Sequence, residues 1–289
     1  MKKGLRFICL AIACLMLFTG CASDATTSGA AEGTSGGGSG SGEAVVRTDF
    51  TIGIPAEPKS LDPHYSMDTW TSAILINVFD RLVQMDDHGN HHPCLATDWE
   101  IADDGLSVHF WLRDDVLFHN GTQFTAEDVA FSFDRQINSS YSMGATGCLK
   151  EIEIINDYEV ILHLNYNYAP ILNLVAGMNS AILSADVMKD LPQEEFMTNP
   201  VGTGAYKLAD WKKGDRIELE AFENYYGGAP AIKNATYRII TERTTGLIAL
   251  ETGDVDAYVD ISGIDRQTVM DNADLVLLET PSNYRLFLQ

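Results

Sequence analysis

Residues 199–228 read NPVGTGAYKLADWKKGDRIELEAFENYYGG, and the middle of that stretch has the pattern of a β-hairpin. Ile217, Leu219 and Ala221 alternate with Arg216, Glu218 and Glu220, the period-two pattern of a strand with one buried face. Residues 205–211 form the outgoing strand, and Lys213-Gly214-Asp215 makes the turn. Ahead of the hairpin, Pro200-Val201-Gly202-Thr203-Gly204 reads as a tight turn whose glycines supply positive φ. A phosphate-binding loop is rejected, because no Gly-Lys-Ser/Thr follows and no helix starts at Gly204.

The rest of the chain mixes strand pairs with helices. Alternation over 47–54 predicts a first strand. Pro55, Pro58 and Pro63 then forbid helix. Asp68 is the expected cap of a helix over 69–84, with Leu75, Val78, Phe79 and Leu82 as its apolar stripe. Residues 86–90 (DDHGN) form a turn. A strand over 95–101 turns at Asp103-Asp104-Gly105 into 106–113, where Leu106, Val108, Phe110 and Leu112 share one face. Thr125 and Asp128 make a capping box for the next helix, which carries Ala126, Val129, Ala130, Phe133 and Ile137 at helical spacing. Residues 137–147 read as a loop, and 152–164 as a strand pair turned at Asn156-Asp157. Short helices are expected at 170–176 and 185–191, with a short strand at 182–184 between them. Past the central hairpin come a strand at 235–240, a helix capped by Thr244 and stopped at Gly253, a strand at 254–259, a helix at 265–270, and strands at 275–278 and 284–288. The order is that of a mixed α/β chain without internal repeats.

The N-terminus reads as a secretory leader. Lys2, Lys3 and Arg6 precede a 12-residue apolar run from Phe7 to Phe18, too short to span a bilayer. The run ends in Phe18-Thr19-Gly20-Cys21, which resembles a lipobox with Cys21 as the lipidated residue. Phe18 stands where Leu is usual. Residues 21–46 are almost all Gly, Ser, Ala and Thr and cannot bury a core, so they are expected to be a flexible tether. Cys94 and Cys148 remain in the folded body, either as one disulfide or as two separate buried thiols. The chain carries 41 acidic residues against 19 basic ones, a net charge of −22. Such a surface repels nucleic acid. Solubility accounts for it; a preference for cationic ligands is the other reading.

Catalytic and metal sets are weak. Neither a Gly-x-Ser-x-Gly elbow nor a His-Glu-x-x-His motif is present. His88, His91 and His92 beside two aspartates read as a solvated turn, since their spacing is not a strong zinc pattern. No cofactor and no metal is expected.

Two long stretches carry a resemblance. One is the glycine turn and hairpin of 199–228. The other is LATDWEIADDGLSVHFWLRDDVLFHNGTQFTAEDVAFSFDR, with Ala96, Thr97, Trp99, Arg113, Asp115, Val116, Phe118, Gly121, Phe124, Thr125, Ala126, Asp128 and Val129 at the patterned positions. Leu61-Asp62-Pro63 and Glu251-Thr252-Gly253-Asp254-Val255-Asp256 add two shorter matches. The chain resembles the peptide/nickel/opine class of extracellular solute-binding proteins, family 5, the binding components of oligopeptide and dipeptide ABC importers. The resemblance runs over about 47–289. Members of the class are longer, so the sequence looks like a first lobe that stops at the hinge to a second.

That resemblance implies an α/β, periplasmic-binding-protein type II fold. Residues 1–20 are then the signal peptide, 47–75 and 197–289 lobe I, and 76–196 an inserted subdomain. The implied function is capture of a peptide, without catalysis, for delivery to ABC permease subunits by a monomer held on the outer face of the cytoplasmic membrane, or its periplasmic side, through Cys21. A nickel chelate, an opine or an oligosaccharide is the alternative solute, and an extracytoplasmic hydrolase the distant alternative. By position along the family pattern, the ligand is expected to meet Glu57, Pro58, Tyr141, Ser142, Met178, Asn179, Ser180, Asn283 and Tyr284, with Glu57 facing a ligand ammonium.

Overall fold

The computed structural model describes residues 47–65, 68–138 and 146–279. Strand β1 (Asp49–Ile54) runs into a proline-rich loop and helix α1 (Thr69–Val78). Strands β2 (Val83–Met85) and β3 (His91–Pro93) make a small hairpin. Strands β4 (Ala96–Ile101) and β5 (Ser107–Leu112) follow, then helix α2 (Ala126–Asn138), then strands β6 (Leu149–Asn156) and β7 (Glu159–Leu164). Three short helices come next: α3 (Ile171–Val175), α4 (Ala185–Asp190) and α5 (Gln193–Phe196). The central hairpin is β8 (Tyr206–Lys212) with β9 (Arg216–Ala221). Strand β10 (Asn234–Ile239), helix α6 (Arg243–Glu251), strand β11 (Ala257–Tyr258) and helix α7 (Arg266–Asp271) close the order.

Two main sheets result. One has the order β11-β1-β10-β9-β8, with β1 parallel to both β10 and β11 and the β10-β9-β8 edge antiparallel. The other is antiparallel, in the order β4-β5-β7-β6. Each has its own apolar centre. Ile54, Leu61, Ile74, Leu75, Val78, Phe79, Phe196, Ile217, Leu219 and Tyr237 pack together on the first. Val108, Phe110, Phe118, Phe124, Val129, Phe133, Val160 and Leu162 pack together on the second. Full burial of a large apolar side chain stabilises by roughly 1.5–3 kcal/mol, so these clusters dominate the fold's favourable terms.

The hairpins form as their alternation predicts, and Ile217, Leu219 and Ala221 are all buried. Asp68 caps α1 through its Oδ1, which accepts from Thr71 N at 2.9 Å. Thr125 N donates to Asp128 Oδ2 at 2.9 Å, the return bond of the capping box. Cys94 and Cys148 are both buried, and no disulfide joins them.

Five expectations need correction. Helix α1 ends at Val78, six residues early. Past Phe79 the backbone is extended, and the carbonyls of Asp80, Arg81 and Leu82 accept from Ile182, Leu95 and Ala96. Leu82 and Val83 are buried, so their apolar character is satisfied without a helix. Second, residues 182–184 form no strand. A polar ladder on α2 replaces sheet pairing: Asp128 Oδ1 accepts from Ala185 N at 2.8 Å, Ser132 Oγ accepts from Leu183 N at 2.8 Å, and Gln136 Nε2 donates to Ser180 Oγ at 3.0 Å. Third, Thr244 lies inside the first turn of α6, whose cap residue is Glu242. Fourth, 275–278 is not a strand, and only Ala257 and Tyr258 pair within 254–259. Fifth, positive φ occurs at Gly214 (76°) and Gly253 (76°) but not at Gly202 or Gly204. Those two are glycines for want of space. A Cβ on Gly202 would lie 2.0 Å from Val78 O, and one on Gly204 would lie 2.4 Å from Asn77 O.

Candidate functional site

Open α/β sheets bind ligands beyond the carboxyl ends of their parallel strands. Here β1, β10 and β11 are mutually parallel or share β1 as neighbour, and their carboxyl ends open on a cleft of about 410 Å³. Pro55 and Ala56 follow β1, Thr241 to Thr244 follow β10, and Asp260 follows β11; Trp70 of α1 closes the side. Arg243 Nε and Nη2 both donate to Asp260 Oδ2, at 3.0 and 2.7 Å. Asp260 holds φ at 67°, the left-handed region that side chains rarely adopt. The adjoining N-terminus of α6 has no side-chain cap.

A second cleft of about 420 Å³ lies on the other side of α1's first turn. Ser72 lines it, two residues on from Trp70. Opposite stand Tyr168, Asn173, Leu174, Met178 and Asn179, with Gln136 of α2 at the base. Gln136 is buried and fixed by Ser180, whose hydroxyl also donates to Leu174 O at 2.9 Å. His91 Nε2 donates to Asn173 Oδ1 at 2.8 Å and orients that amide. Among the described residues, no carboxylate lines this cleft.

The expected contact residues separate into three groups. Met178 and Asn179 line the second cleft, and Ser180 braces it from behind. Glu57 and Pro58 lie elsewhere. Pro58 is buried, and Glu57 Oε1 accepts from Trp211 Nε1 at 3.1 Å and Gly214 N at 3.0 Å, which ties the loop after β1 to the β8–β9 turn. Tyr141, Ser142, Asn283, Tyr284 and Cys21 lie outside the described residues. Sequence reasoning missed Trp70, Ser72, Gln136, Asn173, Arg243 and Asp260. One signal existed: Asp128, Ser132 and Gln136 recur every fourth residue on the buried face of α2, a polar stripe where apolar residues are the rule.

The histidine turn brings no ligand set together. His92 Nε2 donates to Asp86 Oδ2 at 2.9 Å, while His91 turns to Asn173.

A mixed sheet whose parallel strands open on a cleft, with a second sheet inserted between its first strand and the rest, is the architecture of a type II periplasmic binding protein. The chain belongs to the bacterial extracellular solute-binding proteins, family 5, whose middle-region model matches residues 90–289. It is 30% identical over 228 residues to the oligopeptide-binding protein AppA of Bacillus subtilis, an alignment covering 76% of this chain and 42% of AppA. The structure of DppA from Helicobacter pylori, solved with the peptide STSA, superposes with a TM-score of 0.73 at 29% identity, over 78% of this chain and 49% of that one. NikZ from Campylobacter jejuni, solved with Ni(L-His), gives a TM-score of 0.71 at 28% identity, over 78% and 46%. The chain spans about half the length of the curated relatives it matches.

Proposed function

We propose that this chain supplies one wall of the solute cleft in the binding component of an ABC importer, and that the solute is a peptide. One observation carries the reading: on a single turn of α1, Trp70 lines the cleft at the carboxyl ends of the parallel strands and Ser72 lines a second cleft shared with α2 and residues 168–179. A peptide laid across that turn would meet uncharged amides and hydroxyls on one side and the Arg243–Asp260 pair on the other. Main-chain groups of an extended ligand suit such a mixed lining. The names of AppA and DppA, both peptide binders, support the choice of solute.

On this reading 47–75 and 197–289 form lobe I and 76–196 the inserted subdomain. The protein is an extracytoplasmic monomer, a binder and not an enzyme, held to the membrane through lipidated Cys21 and delivering its solute to permease subunits. Hinge closure against a second lobe completes the clamp. Tyr141, Ser142, Asn283 and Tyr284 are assigned to the same cleft with Met178 and Asn179.

The test is titration of the two-lobed protein with the peptide Ser-Thr-Ser-Ala and, in parallel, with Ni(L-His), followed by mass spectrometry of the released solute. Saturable peptide binding with the peptide returned intact is expected. Binding of Ni(L-His) without peptide binding, or return of cleaved peptide, would overturn the reading. Loss of membrane partition in Cys21→Ala is the expected result for the anchor, and retention would sink it.

A further inference from the structure

Arg81 is the anomaly of this fold. It is 6% exposed, and among the described residues its Nε has no hydrogen-bond partner. Its Nη1 points at the thioether of Met178, 3.6 Å away, which is a weak acceptor. The neighbouring buried carboxylate, Asp80, attracts Arg81 electrostatically but makes its hydrogen bonds with Thr203 and Cys94, so the guanidinium's Nε is left open. A buried guanidinium normally sits in a fork of carboxylate or carbonyl oxygens, because an uncompensated buried charge is strongly unfavourable. A buried donor left open in this way calls for an explanation.

Met178 supplies one, because it lines the uncharged cleft beside α1. Its side chain stands between the guanidinium and the open space. Methionine has three rotatable bonds and repacks easily. Among the described residues the cleft's lining carries amides, hydroxyls and apolar groups but no Asp or Glu, although the chain has 41 of them. The cleft at the strand ends holds Glu242 and Asp260, and the one between α2 and α4 holds Glu127, Asp128, Asp157 and Asp186. Only a cleft free of carboxylates can accept a carboxylate without repulsion, and this one has an underused cation behind a movable side chain.

We propose that the cleft lined by Met178 is a carboxylate-reading subsite, in which Met178 moves aside and Arg81 pairs with a carboxylate of the bound ligand. Asn179 and the amide of Asn173 are placed to donate to the same group, and Gln136 keeps the base of the cleft rigid. The carboxylate is an acidic side chain or the C-terminus of a peptide. This rests on the peptide reading for its natural ligand, but the subsite is defined by the anion alone.

The experiment uses three peptides on the two-lobed protein: Ala-Glu-Ala amide, Ala-Gln-Ala amide and Ala-Gln-Ala with a free C-terminus. Affinity and the ¹³C-methyl resonance of Met178, assigned with Met178→Leu, are read together. One or both carboxylate-bearing peptides should bind at least about tenfold tighter than the Gln amide, the scale of a charge-assisted hydrogen bond, and shift that methyl. Which of the two does so identifies the source of the carboxylate. Equal binding of all three with an unmoved methyl overturns the subsite and leaves the peptide reading standing. Should none of the peptides bind, the peptide reading fails, and glutarate against glutaramide decides the subsite alone: a methyl shift with glutarate only supports it, and no shift overturns it. Arg81→Met should erase the carboxylate preference. Met178→Glu guards against a folding failure of that variant. Glutamate there should pair with Arg81 and keep the wild-type Tm or raise it, whereas a fall of the kind any half-buried charge produces counts against the proposal.

Discussion

Arg135, in the last turn of α2, closes a two-pronged ion pair on Asp62, whose carboxylate is wholly buried. Asp62 belongs to the Leu-Asp-Pro segment after β1, and its Oδ1 also accepts from His64 N at 3.0 Å. The pair therefore pins the inserted helix to the loop that follows β1.

Removing one partner leaves a buried charge uncompensated. Arg135→Ala is expected to destabilise by about 3–5 kcal/mol in urea unfolding. The double variant Asp62→Asn, Arg135→Met should lose less than Arg135→Ala alone, because it strands no charge. A double variant at least as unstable as the single one would show that packing, and not charge, sets the loss.

Gly202 and Gly204 make a second prediction, separable from backbone conformation. Neither needs positive φ, yet each faces the end of α1 at a distance no Cβ can occupy. Overpacking against a backbone carbonyl costs about 3 kcal/mol or more where nothing can move, so Gly202→Ala should fail to fold or unfold at much lower urea. Gly214→Ala has open space and suffers only its φ of 76°, a loss of about 1–2 kcal/mol. Comparable urea midpoints for the two variants would contradict the steric account.

Acid sensitivity follows from two histidines. Burial first, then the charge of Arg135, lowers His64 to about 4. Burial lowers His119 to about 4. His119 Nε2 donates to Gly204 O at 2.9 Å and Nδ1 accepts from Gly202 N at 3.3 Å, which requires the neutral ring. An unfolded chain takes up these protons near pH 6.5, the folded chain only near 4. The unfolded state binds more protons in that window, so stability falls as pH drops from 6.5 toward 4 and is unaffected by these groups above it. Asp80 and Asp128, pushed up by burial, act in the opposite sense. A comparison isolates His119: the advantage of wild type over His119→Gln in urea midpoint at pH 7 should shrink toward pH 4. A gap that stays constant would refute the assignment.

What was legible in the sequence was what local pattern decides. The β8–β9 hairpin, the α2 capping box and the Asp68 cap each follow from residues within a few positions of one another. What was not legible depends on distant partners. The pattern through Phe79, Leu82 and Val83 fits a helix, but the carbonyls there are claimed by Leu95, Ala96 and Ile182. Residues 182–184 read as a strand, yet Ser132 and Asp128 on α2 take the place of a strand neighbour. Met178 and Asn179, expected at the ligand by position along the family pattern, line the second cleft. Arg81, Gln136 and Asn173 were not legible, because nothing local says that a buried arginine keeps its Nε open among the described residues or that an amide faces a cleft.

Glu57 separates structure from binding, since both of its hydrogen bonds fall on Oε1. Those bonds hold Trp211 and the Gly214 turn and need an acceptor but not a charge. A ligand ammonium needs the charge. Glu57→Gln therefore keeps the hairpin tie and should stay within about 1 kcal/mol of wild-type stability. Glu57→Ala removes the acceptor and should lose about 1–3 kcal/mol, the scale of buried donors left unmade, discounted toward its low end because Gly214 N is exposed. Affinity then decides the second role. If Glu57 meets the ligand, Glu57→Gln weakens binding of Ser-Thr-Ser-Ala but leaves the N-acetylated peptide as it was in wild type. If the two variants bind both peptides as wild type does, Glu57 is a brace between β1's loop and the β8–β9 turn and takes no part in recognition.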